Sequence, residues 1–224
     1  MVPLREKNES AAPAVTSPAG SQLRDQLLAV HRTIVVVDVE GFGDQSRTNV
    51  HQVTIRDGFY RIMREALACA GISWDDCDHE DRGDGVLILV PAEVPKSLLV
   101  ESLPTAMVTG LRRHNGAHAR PEQIRLRMSL HAGEVCYDEH GVTGASVNLA
   151  CRLLDAGPLK RALAEAPGVL AVIVSSWFFD EVARHTGTAG DYQCVNVAVK
   201  GTATTGWIYL PDRAAAVSRP QRPA

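Results

Sequence analysis

Two apolar runs set the terms for this chain. "TIVVVDVEGFG" holds four consecutive β-branched residues, Ile34 to Val37, and "GVLILV" holds five apolar ones, Val86 to Val90, before Pro91. An unbroken apolar run of this length, rich in β-branched residues, belongs to a strand covered on both faces rather than one with a wet side. Each run meets acid. The first ends in Asp38, and the second is preceded by Glu80, Asp81 and Asp84 around Gly83 and Gly85. Carboxylates at the mouth of a buried strand cost stability unless something compensates them. Three explanations serve: a solvated turn, a cap, or a bound cation. Gly-Asp-Gly is common hairpin material, so for either aspartate alone the solvated turn is sufficient. If neighbouring strands bring both solvent-facing edges together, the two charges repel unless a divalent cation holds them.

Helical periodicity follows each run. Phe59, Ile62, Met63, Ala66 and Ala70 recur at helical spacing and Gly71 closes them. From Lys96 to His114, Leu98, Leu99, Leu103 and Met107 repeat similarly, with Pro104 interrupting. "IRLRMSLHAG" alternates, with Ile124, Leu126, Met128 and Leu130 on one face and Arg125, Arg127 and Ser129 on the other, which predicts a strand covered on one side. In "SVNLACRLLDAGP" an apolar stripe of Val147, Ala150, Cys151 and Leu154 predicts a helix ended by Gly157-Pro158. Asn148 and Arg152, four apart, share its neighbouring face. Strands are predicted at "VLAVIV", "CVNVAVK" and "GWIYL", and a helix at "SSWFFDEVARH". Residues 1–24 and 213–224 are Ala-, Ser- and Pro-rich without an apolar face, as in disordered tails, leaving one domain over 25–212 with no internal repeat.

Charge and cysteine content narrow the partners. Lys and Arg number 23 against 26 Asp and Glu, a formal net charge of -3, which argues against nucleic acid as a partner. The apolar runs fall far short of the roughly 20 residues of a membrane span, and the N-terminus has no apolar signal core, so a cytoplasmic protein without a membrane partner is expected. Five scattered cysteines without C-x-x-C spacing fit a reducing compartment. His114 and His118 stand in "HNGAH", where Asn-Gly is a turn signal, so the two rings need not share a helix face, which argues against a zinc site there.

"VVVDVEGFG", "EDRGDGVLILV", "RMSLHAGEV" with "GVTGASVNLACRLLDA", and "VNVAVKG", taken in order over about residues 33–210, resemble the successive motifs of the class III nucleotidyl cyclases, the adenylyl and guanylyl cyclase catalytic domain. The resemblance implies an α+β fold: a ferredoxin-like cyclase core with a mainly antiparallel sheet flanked by helices, working as a homodimer with composite sites. It implies a nucleoside triphosphate substrate turned into a 3′,5′-cyclic nucleotide and pyrophosphate, with two Mg2+ or Mn2+ ions per site. By position, Asp38, Asp84 and the carbonyl of Val39 match the metal ligands, and the backbone of Gly41, Phe42 and Gly43 matches the phosphate loop. Asn148 matches the ribose-orienting residue, Arg152 the one stabilising the transition state, and Lys200 the one reaching the terminal phosphates. Arg152 has an ordinary alternative in an ion pair with Asp155, and Lys200 in solvation at a strand end.

The base-reading positions depart from the family. They fall on Glu80, an acceptor that suits guanine, and Gly141, which offers no side chain, while Arg82 or His140 can intrude. GTP is therefore favoured over ATP, with loose discrimination; a pyrimidine, or a base read through backbone groups, is the alternative that the bare Gly141 leaves open. His79 to Arg82 reads equally as a salt-bridged turn. The competing function is a cyclase-like domain that binds nucleotide without turnover and serves as a regulatory dimerisation module. "RGDGV" also resembles GGDEF-type dinucleotide cyclases, in which "GASVNLACR" has no place.

Overall fold

The computed structural model describes residues 28–212; the two predicted tails lie outside them. The elements in chain order are β1 (Val30–Val39), α1 (Asn49–Cys69), β2 (Asp78–Asp81), β3 (Gly85–Pro91), α2 (Ser102–Ala117), β4 (Leu126–Asp138), β5 (Gly141–Thr143), α3 (Ala145–Leu154), α4 (Gly157–Glu165), β6 (Leu170–Ser175), α5 (Ser176–Glu181), β7 (Gln193–Val199) and β8 (Thr202–Tyr209). One sheet runs in the order β2-β3-β1-β4-β6-β8-β7, with β5 paired to β4 alongside. Its first four strands with α1 and α2 make the β-α-β-β-α-β arrangement of ferredoxin-like folds. The ladders are antiparallel except β4 with β6. The predicted fold class is therefore present.

The unbroken apolar runs are explained by two cores. Val35, Val37 and Val39 of β1 pack under α1 and α2 with Phe59, Ile62 and Leu103. Ile34 and Val36 face the other way, into a second cluster with Val147, Leu153 and Leu159 of α3 and α4. A strand sandwiched between helical layers has no polar face to show.

The sequence misled in three places. Strand β4 is covered on both sides: Ser129 is fully buried, its hydroxyl donating to the Ala150 carbonyl at 2.8 Å. Ser129 and Arg127 on the second face are both hydrogen-bonded to protein partners, the Ala150 carbonyl and Asp38. The second predicted helix divides into a 3-10 turn over Lys96–Leu99 and α2, whose first turn holds Pro104, where a missing amide costs no hydrogen bond. Helix α2 also runs straight through Asn115-Gly116. The Asn115 amide donates to the Ile124 carbonyl at 2.8 Å and accepts from the Ile124 amide at 2.7 Å, so its side chain serves the following connection instead of a turn. His118, the extended residue that caps α2, folds back so that its ring stacks on that of His114 at 3.9 Å, and the His114 Nε2 lies 3.0 Å from the Glu122 carbonyl.

Gly85 of β3 lies opposite Asp38 of β1 with no room for a side chain. A Cβ there would lie 2.1 Å from the Val37 carbonyl oxygen and 2.9 Å from the Asp38 Cα. Gly85→Ala is expected to lower stability by about 1–3 kcal/mol through this overlap. Gly43, with nothing within 4 Å of its added Cβ, serves as the control, and Gly43→Ala should stay within about 0.5 kcal/mol. Urea midpoints at constant slope make the comparison.

Candidate active site

The acidic residues before β3 divide into different tasks. Arg82 N–H donates to the Gly85 carbonyl at 2.9 Å, closing a tight turn in which Gly83 has φ +83°. Asp81 accepts from the Gly83 amide at 2.6 Å and pairs with Arg56 of α1, which also reaches the Gly83 carbonyl. The Arg56 guanidinium and the Gly83 amide hold the Asp81 carboxyl down to about 2. Helix α1 thereby clasps the turn and fixes the position of Asp84.

Glu80 works as a latch toward β5. Its Oε1 accepts from the Val142 amide at 3.0 Å and its Oε2 from Arg82 at 2.9 Å. The two base-reading candidates do meet: a Cβ on Gly141, which has φ +127°, would lie 2.5 Å from Glu80 Oε1. Glycine at 141 thus admits the Glu80 carboxylate to the β4–β5 hairpin.

Asp84 remains. It is exposed, and its carboxylate has no hydrogen bond or ion pair among the described residues. The Val39 amide donates to the Asp84 carbonyl at 2.9 Å, so the end of β1 and the tip of the β2–β3 hairpin are joined, and the Asp84 charge acts on Asp38. The two aspartates do come together. Asp38, however, is neither solvent-facing nor free. It lies opposite Arg127 in the β1–β4 ladder, and Arg127 grips it in a fork, Nε to Oδ1 at 2.8 Å and Nη2 to Oδ2 at 2.7 Å. Their side chains are 15% and 14% exposed. Burial pushes the Asp38 carboxyl above its ordinary value, more than Arg127 draws it down.

The donors at this edge, two carboxylates with the Val39 carbonyl beside them, are hard oxygens of the kind Mg2+ and Mn2+ prefer. Among the described residues no cluster of three or more His, Cys, Asp or Glu side chains is placed to hold a metal by itself. Mg2+ is ordinarily held by one or two carboxylates, with water and substrate phosphates completing its shell.

The loop after β1 only partly suits the phosphate role. The Phe42 amide is spent on the Val39 carbonyl at 3.3 Å, whereas the Gly41 and Gly43 amides have no backbone acceptor among the described residues. Gly41 has φ +64°, and helix α1 starts only at Asn49, where Thr48 caps it with its own hydroxyl. The glycine turn is therefore separate from the helix N-terminus.

Asn148, Arg152 and Lys200 form another group. Val147, Ala150, Leu153 and Leu154 bury one side of α3, leaving Asn148 exposed and Arg152 half-buried on the adjoining side. Arg152 donates to the Thr202 hydroxyl at the start of β8. It is not the partner of Asp155, which instead bridges Lys160 at 3.2 Å and Lys200 at 3.0 Å. Although burial pushes the other way, those two lysines hold the Asp155 carboxyl below its ordinary value. Lys200 and Gly201 form the β7–β8 turn with φ +46° and +80°. Lys200 is the one non-glycine residue with positive φ among those described. The Arg152–Thr202 and Lys200–Asp155 contacts were not visible in the sequence, nor was the Arg127 grip, although the alternation of β4 had placed Arg127 opposite the apolar face.

No protein-family model matches the sequence, and no curated protein is significantly similar to it. Solved structures are. The chain has the fold of class III adenylate and guanylate cyclase catalytic domains. It is similar to the guanylyl cyclase Cya2, at 22% identity and TM-score 0.57 over 83% of this chain and 93% of that one. A protein from Silicibacter pomeroyi described as an adenylate/guanylate cyclase/hydrolase matches at 18% identity and TM-score 0.59, over 83% and 99% of the two chains. The guanylate cyclase domain of RhGC from Catenaria anguillulae, solved in complex with GTP, matches at 17% and 0.53, over 80% and 96%. No helix among the described residues is long and apolar enough to cross a membrane.

Two stability tests follow from these contacts. Asp38→Ala leaves Arg127 buried without its carboxylate and should cost about 2 kcal/mol or more, while Asp84→Ala should stay within about 0.5 kcal/mol. Asp38→Ala combined with Arg127→Met removes both buried charges and should recover most of the loss, as read by denaturant midpoints. The second test concerns acid. The Asp81 carboxyl is lowered from 3.8 to about 2. Its contribution is present above the unfolded value and lost as pH falls through the folded one. Arg56→Gln should therefore be less stable than the parent near neutrality, by under about 1 kcal/mol because the pair is half exposed. That gap should close in melts recorded between pH 3.8 and 2.

Proposed function

We propose that this protein is a nucleotidyl cyclase, converting a nucleoside triphosphate, GTP in preference, into a 3′,5′-cyclic nucleotide and pyrophosphate. The observation carrying this reading is the junction of Asp38 and Asp84: the Val39 amide, next to Asp38, donates to the Asp84 backbone carbonyl at the end of the central strand, the Asp84 charge acts on Asp38, and the Asp84 carboxylate has no partner among the described residues. Two Mg2+ or Mn2+ ions held by Asp38, Asp84 and the Val39 carbonyl would supply the charge that acidifies the ribose 3′-hydroxyl and neutralises the departing pyrophosphate. The protein's own groups do the placing. Gly41 and Gly43 amides point to phosphate oxygens. Arg152 donates to the α-phosphate as its charge grows, a role worth on the order of 10²-fold or more in rate. Asn148 orients the ribose and Lys200 reaches the terminal phosphates. Glu80 keeps unused lone pairs beside its bonds to Val142 and Arg82, with which it accepts from the guanine edge.

A homodimer with composite sites is part of this reading. Asn148, Asp84 and Lys200 are exposed, so one chain presents them on an open face for a second copy to complete. The presence of GTP in the Catenaria structure supports a nucleoside triphosphate as the substrate class.

The second reading, a cyclase-like domain that binds nucleotide without turnover and regulates through dimerisation, draws on a different observation. Asp38, Glu80, Arg152 and Lys200 all have protein partners: Arg127, Arg82 with Val142, Thr202 and Asp155.

Incubation of the full chain with Mn2+ or Mg2+ and each of the four nucleoside triphosphates, with products resolved by mass, separates the two. A cyclic product with GTP ahead of ATP is expected; no product from any of them leaves the binding reading. Given turnover, Asp84→Ala should abolish it, and Glu80→Lys should lower the GTP/ATP ratio by about tenfold, the worth of one hydrogen bond to a charged group. Mixing Asp38→Ala with Arg152→Ala protomers should restore part of the activity. A dead mixture in which heterodimers form excludes sites shared between chains.

A further inference from the structure

The Arg127 fork on Asp38 bears on how a cation could enter, an inference that rests on the cyclase reading of this site. Both carboxylate oxygens accept from one guanidinium, at 2.8 and 2.7 Å, and both side chains are about 85% removed from water. The pair is set by the backbone, since Asp38 and Arg127 are directly opposite in the ladder. Three charged groups surround Asp38: Arg127 from β4, Lys160 from α4, and Asp84 from the hairpin tip. Two are cationic. A divalent ion arriving alone would meet one free carboxylate, Asp84, and another already neutralised by a fixed positive charge. To bind both carboxylates it must displace the guanidinium while itself occupying Asp84, the other anion beside Asp38, and a buried guanidinium left unpaired is costly.

Phosphate oxygens change that balance. They match the planar donor fork of arginine as well as a carboxylate does, so an incoming triphosphate gives Arg127 an equivalent partner while exposing Asp38 to the cation. We propose that Arg127 gates the cation site: it holds Asp38 closed to free divalent ions and yields it only when an anionic ligand takes the guanidinium. Cation and triphosphate then enter together, and each raises the affinity for the other by the same factor. No bond is made or broken in this exchange; one ion pair replaces another. Arg127 is in this sense a positioning residue that acts on the cation through Asp38.

The test uses the full chain with Mn2+ alone, no nucleotide and no turnover. Mn2+ uptake is read from the loss of the free-ion electron paramagnetic resonance signal. Arg127→Gln is expected to bind Mn2+ about tenfold or more tightly than the parent, within the usual range of coupling between sites. Adding Asp38→Asn to that variant should remove the gain. Arg127→Lys, which keeps the charge but loses the fork, guards against a misfolded glutamine variant and should fall between the two. Equal Mn2+ affinity in the parent and in both folded variants overturns the proposal, as does a gain that survives Asp38→Asn. In the parent, the Arg127 Nε–H resonance should stay in place when Mg2+ alone is added; a shift under Mg2+ alone overturns it as well. The gate and the cyclase reading fail separately. A Mn2+ gain in a protein that forms no cyclic product keeps the gate and loses the enzyme, whereas cyclic product without the gain does the reverse.

Discussion

Strand β1 is hydrogen-bonded to β4 along its length and to β3 from Arg32 to Asp38, so its backbone is satisfied without water while Ile34 to Val37 fill cores on both sides. Everything chemical here hangs on where that ladder ends. At its last rungs the apolar sequence gives way to Asp38, which lies opposite Gly85 on one neighbour and Arg127 on the other. A register slip of one residue would turn Asp38 toward the α1–α2 core and away from Arg127. Two fully packed faces make such a slip prohibitive, so the hydrophobic effect that folds the sheet also fixes the position of a charge.

Around this end the acidic residues are neither redundant nor uniformly functional. Asp81 is tied to Arg56 and shapes the turn, Glu80 fastens β2 to the β4–β5 hairpin, and Asp38 is buried against Arg127. Only Asp84 faces solvent without a partner among the described residues. A carboxylate cluster that looks like one site in sequence is thus three structural contacts around a single free ligand. The groups that neutralise it come from α1, β4 and the hairpin itself, so the local field depends on the whole front half of the fold.

How much of this could be read beforehand follows from the range of the interactions. The buried strands, the Phe59 to Ala70 helix and the Asn148–Arg152 face were legible because periodicity and capping are local. The apposition of Asp38 and Asp84 was legible as a consequence of two strands that end in acid. Arg127 was not, because it lies 89 residues from Asp38 and its polar face looked like a solvent face until α3 was laid over it. Asn115-Gly116 was misread for a related reason: the helix continues there because the asparagine side chain bonds to Ile124, and no local signal announces that. Helix α4 went unnoticed because Gly157-Pro158, taken as the stop of α3, is also the start of the next helix, with proline in its first turn.

The left-handed backbone of Lys200 has a cost. A two-residue hairpin turn with positive φ at both positions favours Asn-Gly, and a lysine held there gives up roughly 1–2 kcal/mol relative to glycine. Its exposed ion pair with Asp155 returns little of that. The β7–β8 hairpin is therefore less stable than the simplest turn sequence would make it, and the surplus strain lies in the backbone of the residue that carries a long cationic side chain. Glycine in place of Lys200 would relieve that strain in one substitution, and the same change would take away the cationic side chain and its bridge to Asp155.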